Sequence, residues 1–162
     1  MSDYNLDRAY GLNTADEARA HYQDWEQTND SSFGAAKGYI APREIAGVLI
    51  GAAPDAGPIL DIGAGTGLVA EHLGSRVVDG IDITPEMLTV ARGKNLYRDL
   101  IEGDLTKPLD MADETYGAVI SCGTFTHGHV GPECLPELLR VTKPGAVFCC
   151  GTLPAVYDAA GF

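Results

Sequence analysis

Basic side chains are scarce in this 162-residue sequence: eleven Lys and Arg stand against 23 Asp and Glu, a formal net charge of −12. The eleven are scattered singly. No cluster can replace the counterions of a phosphate backbone, so no nucleic-acid partner is expected. Long apolar runs are missing too, none approaching the roughly 20 residues of a membrane-spanning helix. The opening Met1-Ser-Asp-Tyr-Asn-Leu-Asp7 lacks the basic and then apolar regions of a secretory signal. A cytoplasmic protein with no membrane partner is the expectation. Cysteine is confined to Cys122, Cys134, Cys149 and Cys150, without CxxC spacing. That argues against a disulfide framework or a metal site and predicts small buried thiols. There is no internal repeat, and the 20 Gly and 9 Pro punctuate apolar runs without the period of a fibrous chain.

What remains has the composition of one folded domain, 45% hydrophobic and 21% charged. Thr14-Ala-Asp-Glu17 has the form of a capping box, and Ala18, Tyr22 and Trp25 recur along one face of the helix it would open. Pro42 suits a second helix's first turn, with Ile45, Val48 and Leu49 as its apolar stripe and Gly51 to Pro58 ending it. Residues 1–52 thus read as a helical cap or lid, and 53–162 as the main α/β unit. From Ile59 short apolar runs alternate with helical segments, the texture of a parallel sheet with crossover helices. Strands are expected at Ile59 to Ile62, Val77 to Asp82, Tyr97 to Ile101, Ala118 to Ser121 and Ala146 to Cys150. Thr84-Pro85-Glu86 marks a helix start, and a helix carrying Leu135, Leu138 and Leu139 must stop before Lys143-Pro144-Gly145. In a doubly wound sheet the ligand crevice lies at the carboxyl ends of the strands.

The first strand runs into Gly63, Gly65 and Gly67. Residues without Cβ permit positive φ and close approach of the backbone to a ligand, and the loop is expected to open a helix whose free N–H groups favour an accepting group. The spacing is G-x-G-x-G with Leu68 next, which departs from the dinucleotide fingerprint. Asp82 ends the second strand about 20 residues beyond the first glycine, where a carboxylate meets ribose hydroxyls. Asp79 is expected to face elsewhere. Glu102-Gly-Asp104-Leu105 after the third strand offers an acceptor for an exocyclic amine and an apolar side chain for a base. Together these imply an adenosyl ligand.

The motifs Ile59-Leu-Asp-Ile-Gly-Ala-Gly-Thr-Gly67, Gly80-Ile-Asp-Ile-Thr-Pro-Glu-Met-Leu88, Glu102-Gly-Asp-Leu105 and Glu137-Leu-Leu-Arg-Val-Thr-Lys-Pro-Gly145 resemble those of class I S-adenosylmethionine-dependent methyltransferases. Pro85-Glu-Met-Leu, Leu96-Tyr97 and Leu135 to Gly145 are further similar to the Williams-Beuren-region methyltransferase-like subgroup. The resemblance implies a Rossmann-like fold, S-adenosylmethionine as cofactor, S-adenosylhomocysteine as product, and a small-molecule methyl acceptor. It implies that Gly63, Gly65 and Gly67 face the methionine part, that Asp82 holds the ribose and that Asp104 meets the adenine amine. Ile83, Met87 and Leu105 would flank the ring, and Ser121 would contact the methionyl group. Tyr22-Gln-Asp-Trp25 resembles a segment that closes over the cofactor in related enzymes; the same pair also reads as the packing face of an amphipathic helix.

Methyl transfer is an in-line displacement in which positioning and water exclusion dominate. A base is needed only where the acceptor carries a proton, and His127 and His129 are then candidates, the other reading being solvated loop residues. Related proteins usually continue past the fifth strand through a helix and an antiparallel strand pair, for which Leu153 to Phe162 is too short. The expectation is a fragment, or a reduced form whose sheet edge a second copy covers. The alternative function is an adenosyl-binding module without catalysis. An NAD-dependent oxidoreductase stands behind both, because Leu68 breaks the dinucleotide pattern.

Overall fold

The computed structural model describes residues 39–126 and 130–161. The helix expected from Thr14, with Tyr22 and Trp25, lies outside these residues, as do His127 and His129. The described chain begins with α1, Ala41–Ala52, whose first turn holds Pro42 where no intrahelical N–H is needed. Its Ala46 and Leu49 are almost wholly buried, but Val48, expected on the apolar stripe with Ile45 and Leu49, is 61% exposed on the solvent side of the helix, Ala46 taking its place against the sheet.

Five strands follow: β1 (Ile59–Ile62), β2 (Val78–Asp82), β3 (Asp99–Glu102), β4 (Tyr116–Phe125) and β5 (Thr142–Thr152). Between them lie α2 (Pro85–Gly93) and α3 (Leu135–Val141), and α4 (Pro154–Ala160) closes the described chain. The strands form one parallel sheet in the order β3-β2-β1-β4-β5. β1 is buried along its whole length, as a central strand covered on both faces must be. Alternation sends Leu60 and Ile62 to one face, with Val119, Leu138 and Val141, and Ile59 to the other, with Ala46, Leu49, Val69, Leu73 and Ile120. The chain steps outward from β1 to β3 and then returns to lay β4 on the opposite side of β1. That reversal opens a crevice beyond the carboxyl ends of β1 and β4.

Three local expectations are corrected. Where a helix was expected to open directly from the glycine loop, the chain makes turns and the short 3-10 helix Ala70–His72. Gly67 at φ +87° and Gly74 at φ +65° interrupt right-handed backbone on either side of that stretch. β4 continues past Ser121 to Phe125, through a register shift between Cys122 and Phe125. β5 begins at Thr142 and includes Pro144, tolerated because β5 is an edge strand and its register with β4 shifts between Tyr116 and Ala118. α3 ends at Val141, before Lys143-Pro144-Gly145. No helix among the described residues is long and apolar enough to cross a membrane.

Because Leu49 is the main apolar anchor of α1 on the sheet, Leu49→Ala should lower unfolding free energy by about 2–5 kcal/mol. Val48→Ala, on the solvent side, should stay within about 0.5 kcal/mol. Chemical denaturation of both variants checks the assignment, and equal effects would overturn it.

Candidate functional site

The crevice is built around the end of β1. Two hydroxyls from β4, Ser121 Oγ at 3.0 Å and Thr124 Oγ1 at 2.9 Å, donate to the Ile62 carbonyl oxygen and fix the point where the strand becomes a loop. Gly63 follows at φ +64°, and a Cβ there would lie 2.0 Å from Thr124 Oγ1. Only glycine satisfies both the backbone conformation and the space. From the other side, the Gly65 N–H donates to Asp82 Oδ2 at 2.8 Å, so the tip of β2 holds the middle of the loop. A Cβ on Gly65 would meet no heavy atom within 4 Å, because this glycine looks into open space.

That space is a cavity of about 260 Å³. Gly63, Gly65, Asp82, Ile83, Met87, Asp104 and Leu105 all line it, brought together from the tips of three strands. Gly67 and Ser121, expected beside them, sit behind the wall. Gly67 backs onto the ring of Tyr97, and Ser121 is fully buried with its hydroxyl committed to Ile62. Asp79 also lies elsewhere: it is buried, accepts from the Tyr116 hydroxyl at 2.9 Å and pairs with Arg98. The lining further includes Tyr39 and Pro42 at the start of α1, Cys122 and Thr124 on β4, and Val130, none of which the sequence assigned to a ligand site. By composition Cys122-Gly-Thr124 is expected past the end of the fourth strand, whereas β4 runs on through these residues to Phe125. The Tyr39 hydroxyl and Cys122 Sγ are 3.4 Å apart, linking the entrance of α1 to β4.

The two carboxylates in the wall differ. Asp82 is pushed up by burial, an effect opposed by N–H donors from Thr84, at 2.9 Å to Oδ1, and from Gly65. Asp104 is held below the ordinary carboxylate range, first by the Thr106 hydroxyl at 2.7 Å. A third carboxylate, Asp61, lies beneath the loop, 1% exposed, and accepts from the Tyr97 hydroxyl at 2.7 Å. Burial is the main cause that pushes it up to about 7, with the Asp82 charge adding to the effect and the Tyr97 bond opposing it. Burial likewise raises the thiols, Cys134 to about 11 and Cys150 to about 12, and all four cysteines are free. Among the described residues no group of His, Cys, Asp or Glu is arranged to hold a metal ion.

Two outcomes follow from this geometry. Gly63→Ala should destabilise the fold by about 1–3 kcal/mol, through strained φ and overpacking. Adding Thr124→Ala should recover part of that loss in denaturant titrations; no recovery would locate the strain elsewhere. For Asp61, the folded chain keeps a proton that the unfolded chain releases near the ordinary value of 3.8. Its contribution to stability is therefore complete below about pH 4, lost progressively up to about pH 7 and constant above. Asp61→Asn removes this loss, so its gain in melting temperature over the parent should grow between pH 5 and pH 7 and then level off. A gain independent of pH would show that Asp61 is ionised throughout.

Comparison with known proteins agrees with this architecture. The Methyltransferase domain family matches residues 60–150. Methyltransferase-like protein 27 of Homo sapiens is 35% identical over 153 residues, covering 89% of this chain and 61% of that protein. A Demethylmenaquinone methyltransferase of Renibacterium salmoninarum is 32% identical over 152 residues, covering 90% of this chain and 60% of the relative. The chain thus spans about three fifths of the length of these relatives. In structure, a Methanococcus maripaludis protein assigned as an S-adenosyl-L-methionine-dependent methyltransferase superposes with a TM-score of 0.64 at 17% identity, covering 88% of this chain and 68% of its own. That likeness is one of fold, the doubly wound α/β sheet. With the domain match spanning β1 to β5, the chain belongs to the class I methyltransferase family.

Proposed function

We propose that this chain binds S-adenosylmethionine in the crevice at the ends of β1, β2 and β4 and transfers the methyl group to a small-molecule acceptor, leaving S-adenosylhomocysteine. The observation that carries the reading is the Asp82 carboxylate in the cavity wall, held in place by N–H donors that include Gly65 and Thr84. So fixed at the strand tip, it presents a charged acceptor to the hydroxyls of a ribose. The residues present fit the group. Gly65 leaves its side of the cavity free of side-chain atoms, Ile83, Met87 and Leu105 supply apolar surface for a base, and Asp104 supplies an acceptor beside it. A relative named for its action on demethylmenaquinone supports a small organic acceptor.

When bound, S-adenosylmethionine supplies a methyl group already activated on a sulfonium. The chain's own task is then placement and drying. Asp82 orients the ribose, the glycine loop sets the depth of the methionyl end, and Tyr39, Pro42, Leu68 and Val130 give an apolar surround that keeps water from the acceptor. His127 or His129, just before Val130, would serve as base for a proton-bearing acceptor. Tyr39 and Pro42 at the cavity support a cap role for residues 1–52, in which Tyr22 and Trp25 would close over the cofactor. Trp25 is the only tryptophan, so its fluorescence should change on addition of S-adenosylhomocysteine. A second copy would meet this one along β5, the sheet edge, where Ala146 to Gly151 are half-buried. Free thiols throughout suit a reducing, cytoplasmic setting.

Asp82→Asn removes charge from the ribose contact while keeping the shape of the side chain. Affinity for S-adenosylhomocysteine, read by calorimetry, should fall by roughly 10- to 100-fold, corresponding to about 1.5–3 kcal/mol. Unchanged affinity would reject the assignment. Binding without transfer to any of a panel of acceptors, followed with labelled cofactor, would leave a binding module.

A further inference from the structure

Asp104 reaches the cavity from a turn whose next polar side chain, Thr106, stands with it in the wall. Both Thr106 donors go to one oxygen: the backbone N–H lies 2.9 Å and the hydroxyl 2.7 Å from Asp104 Oδ1. The other oxygen, Oδ2, receives no hydrogen bond from the described residues. The two oxygens of this carboxylate are therefore unlike, one doubly occupied within the turn and the other with its acceptor capacity unspent.

The turn is held on both sides of these two residues. Before it, the Gly103 N–H donates to the Asp82 carbonyl oxygen at 3.0 Å, and after it the Lys107 N–H donates to the Asp104 carbonyl oxygen at 3.0 Å. Leu105 and Leu109, flanking Thr106, are buried in the core. Leu109 is also tied to α3: its N–H donates to Glu137 Oε2 at 2.8 Å, and its carbonyl oxygen accepts from Arg140 at 2.8 Å. Part of the Glu137 to Gly145 motif thus anchors the arm that carries Asp104. Thr106 itself is exposed, so its hydroxyl bears on Asp104 and not on the core.

We propose that Thr106 is a positioning residue for purine selection: by occupying Asp104 Oδ1 it sets Oδ2 toward the amino group of adenine, and so creates a preference for a 6-amino over a 6-oxo purine. The inference rests on the adenosyl reading above. An amino group donates and is drawn to a carboxylate, whereas a 6-oxo group accepts and is repelled by it. A fixed, ionised acceptor therefore separates the two. A carboxyl group that turns freely, or that carries a proton to offer the oxo group, separates them less. The two donors on Oδ1 restrict rotation of the carboxylate and favour its ionised form, and the Lys107 charge adds to the second effect.

The test is calorimetric titration of the full chain with S-adenosylhomocysteine and with S-inosylhomocysteine, in which a 6-oxo group replaces the amino group. The parent should bind the adenosyl form more tightly. Thr106→Val keeps the size of the side chain but loses the hydroxyl, and should cut that preference by roughly 3- to 10-fold, the worth of one hydrogen bond. Thr106→Ser, which keeps the hydroxyl, should restore it to within about twofold. Asp82→Asn should weaken both ligands and leave their ratio unchanged, because it acts on the ribose they share. In an Asp104→Asn background, adding Thr106→Val should shift the ratio by less than about twofold, as a residue acting through Asp104 requires. Thr106→Ala serves as the decisive variant should Thr106→Val fail to fold. Equal affinity of the parent for both ligands, an unchanged ratio on loss of the hydroxyl, or no recovery in Thr106→Ser overturns the inference while leaving adenosyl binding intact. Absence of binding of either ligand by the parent overturns the adenosyl reading and this inference with it.

Discussion

The loop after β1 is held open by a carboxylate and a carbonyl acting from opposite sides. Asp82 draws the Gly65 N–H toward β2, while the Ile62 carbonyl takes hydroxyl donors from Ser121 and Thr124 on β4. Each contact is an ordinary hydrogen bond, worth about 1 kcal/mol net of water's competition, or more where the acceptor is charged. Their effect is geometric. With three glycines in left-handed backbone the loop has many conformations to lose, and these bonds, made to the strands on either side of β1, select one that leaves a cavity.

The cavity's place follows from strand order. β2 lies on one side of β1 and β4 on the other, so the loop cannot be covered by the next crossover and stands free at the reversal. The same order explains the charge pattern. Carboxylates at the tips of β2 and β3 line the cavity, whereas Asp79, three residues before Asp82, is buried and tied to Tyr116 and Arg98. Asp61 is a third case, below the loop and removed from solvent, where burial favours its neutral form.

Much of the fold was legible because parallel strands buried on both faces are written as short apolar runs. Ile59 to Ile62 was found with its exact bounds, and β2 within one residue. The region after the loop was not legible. Val69, Leu73 and their neighbours carry a helix-like stripe, yet positive φ at Gly67 and Gly74 breaks the segment into turns. β4 and β5 ran longer than expected, because pairing between them continues through register shifts that local composition does not reveal. The site divides similarly. Gly63, Gly65, Asp82 and Asp104 stand in recognisable spacings at strand ends, and all line the cavity. Gly67 and Ser121 fit the same pattern but face inward, where a ring and a carbonyl occupy them. Thr124 and Tyr39 carry no spacing signal, since their partners are distant along the chain.

The sequence by itself determined the order of the five strands along the chain, the glycine loop and the acids at two strand tips, because each is encoded within a few consecutive residues as periodicity, missing side chains or turn residues. Tertiary structure alone decided which of those residues share a cavity, which glycine makes room for a tyrosine ring, and which aspartate is shut away from water. Hydrogen bonding, exclusion of volume and desolvation act between segments separated by tens of residues, and only the packed chain sets their distances.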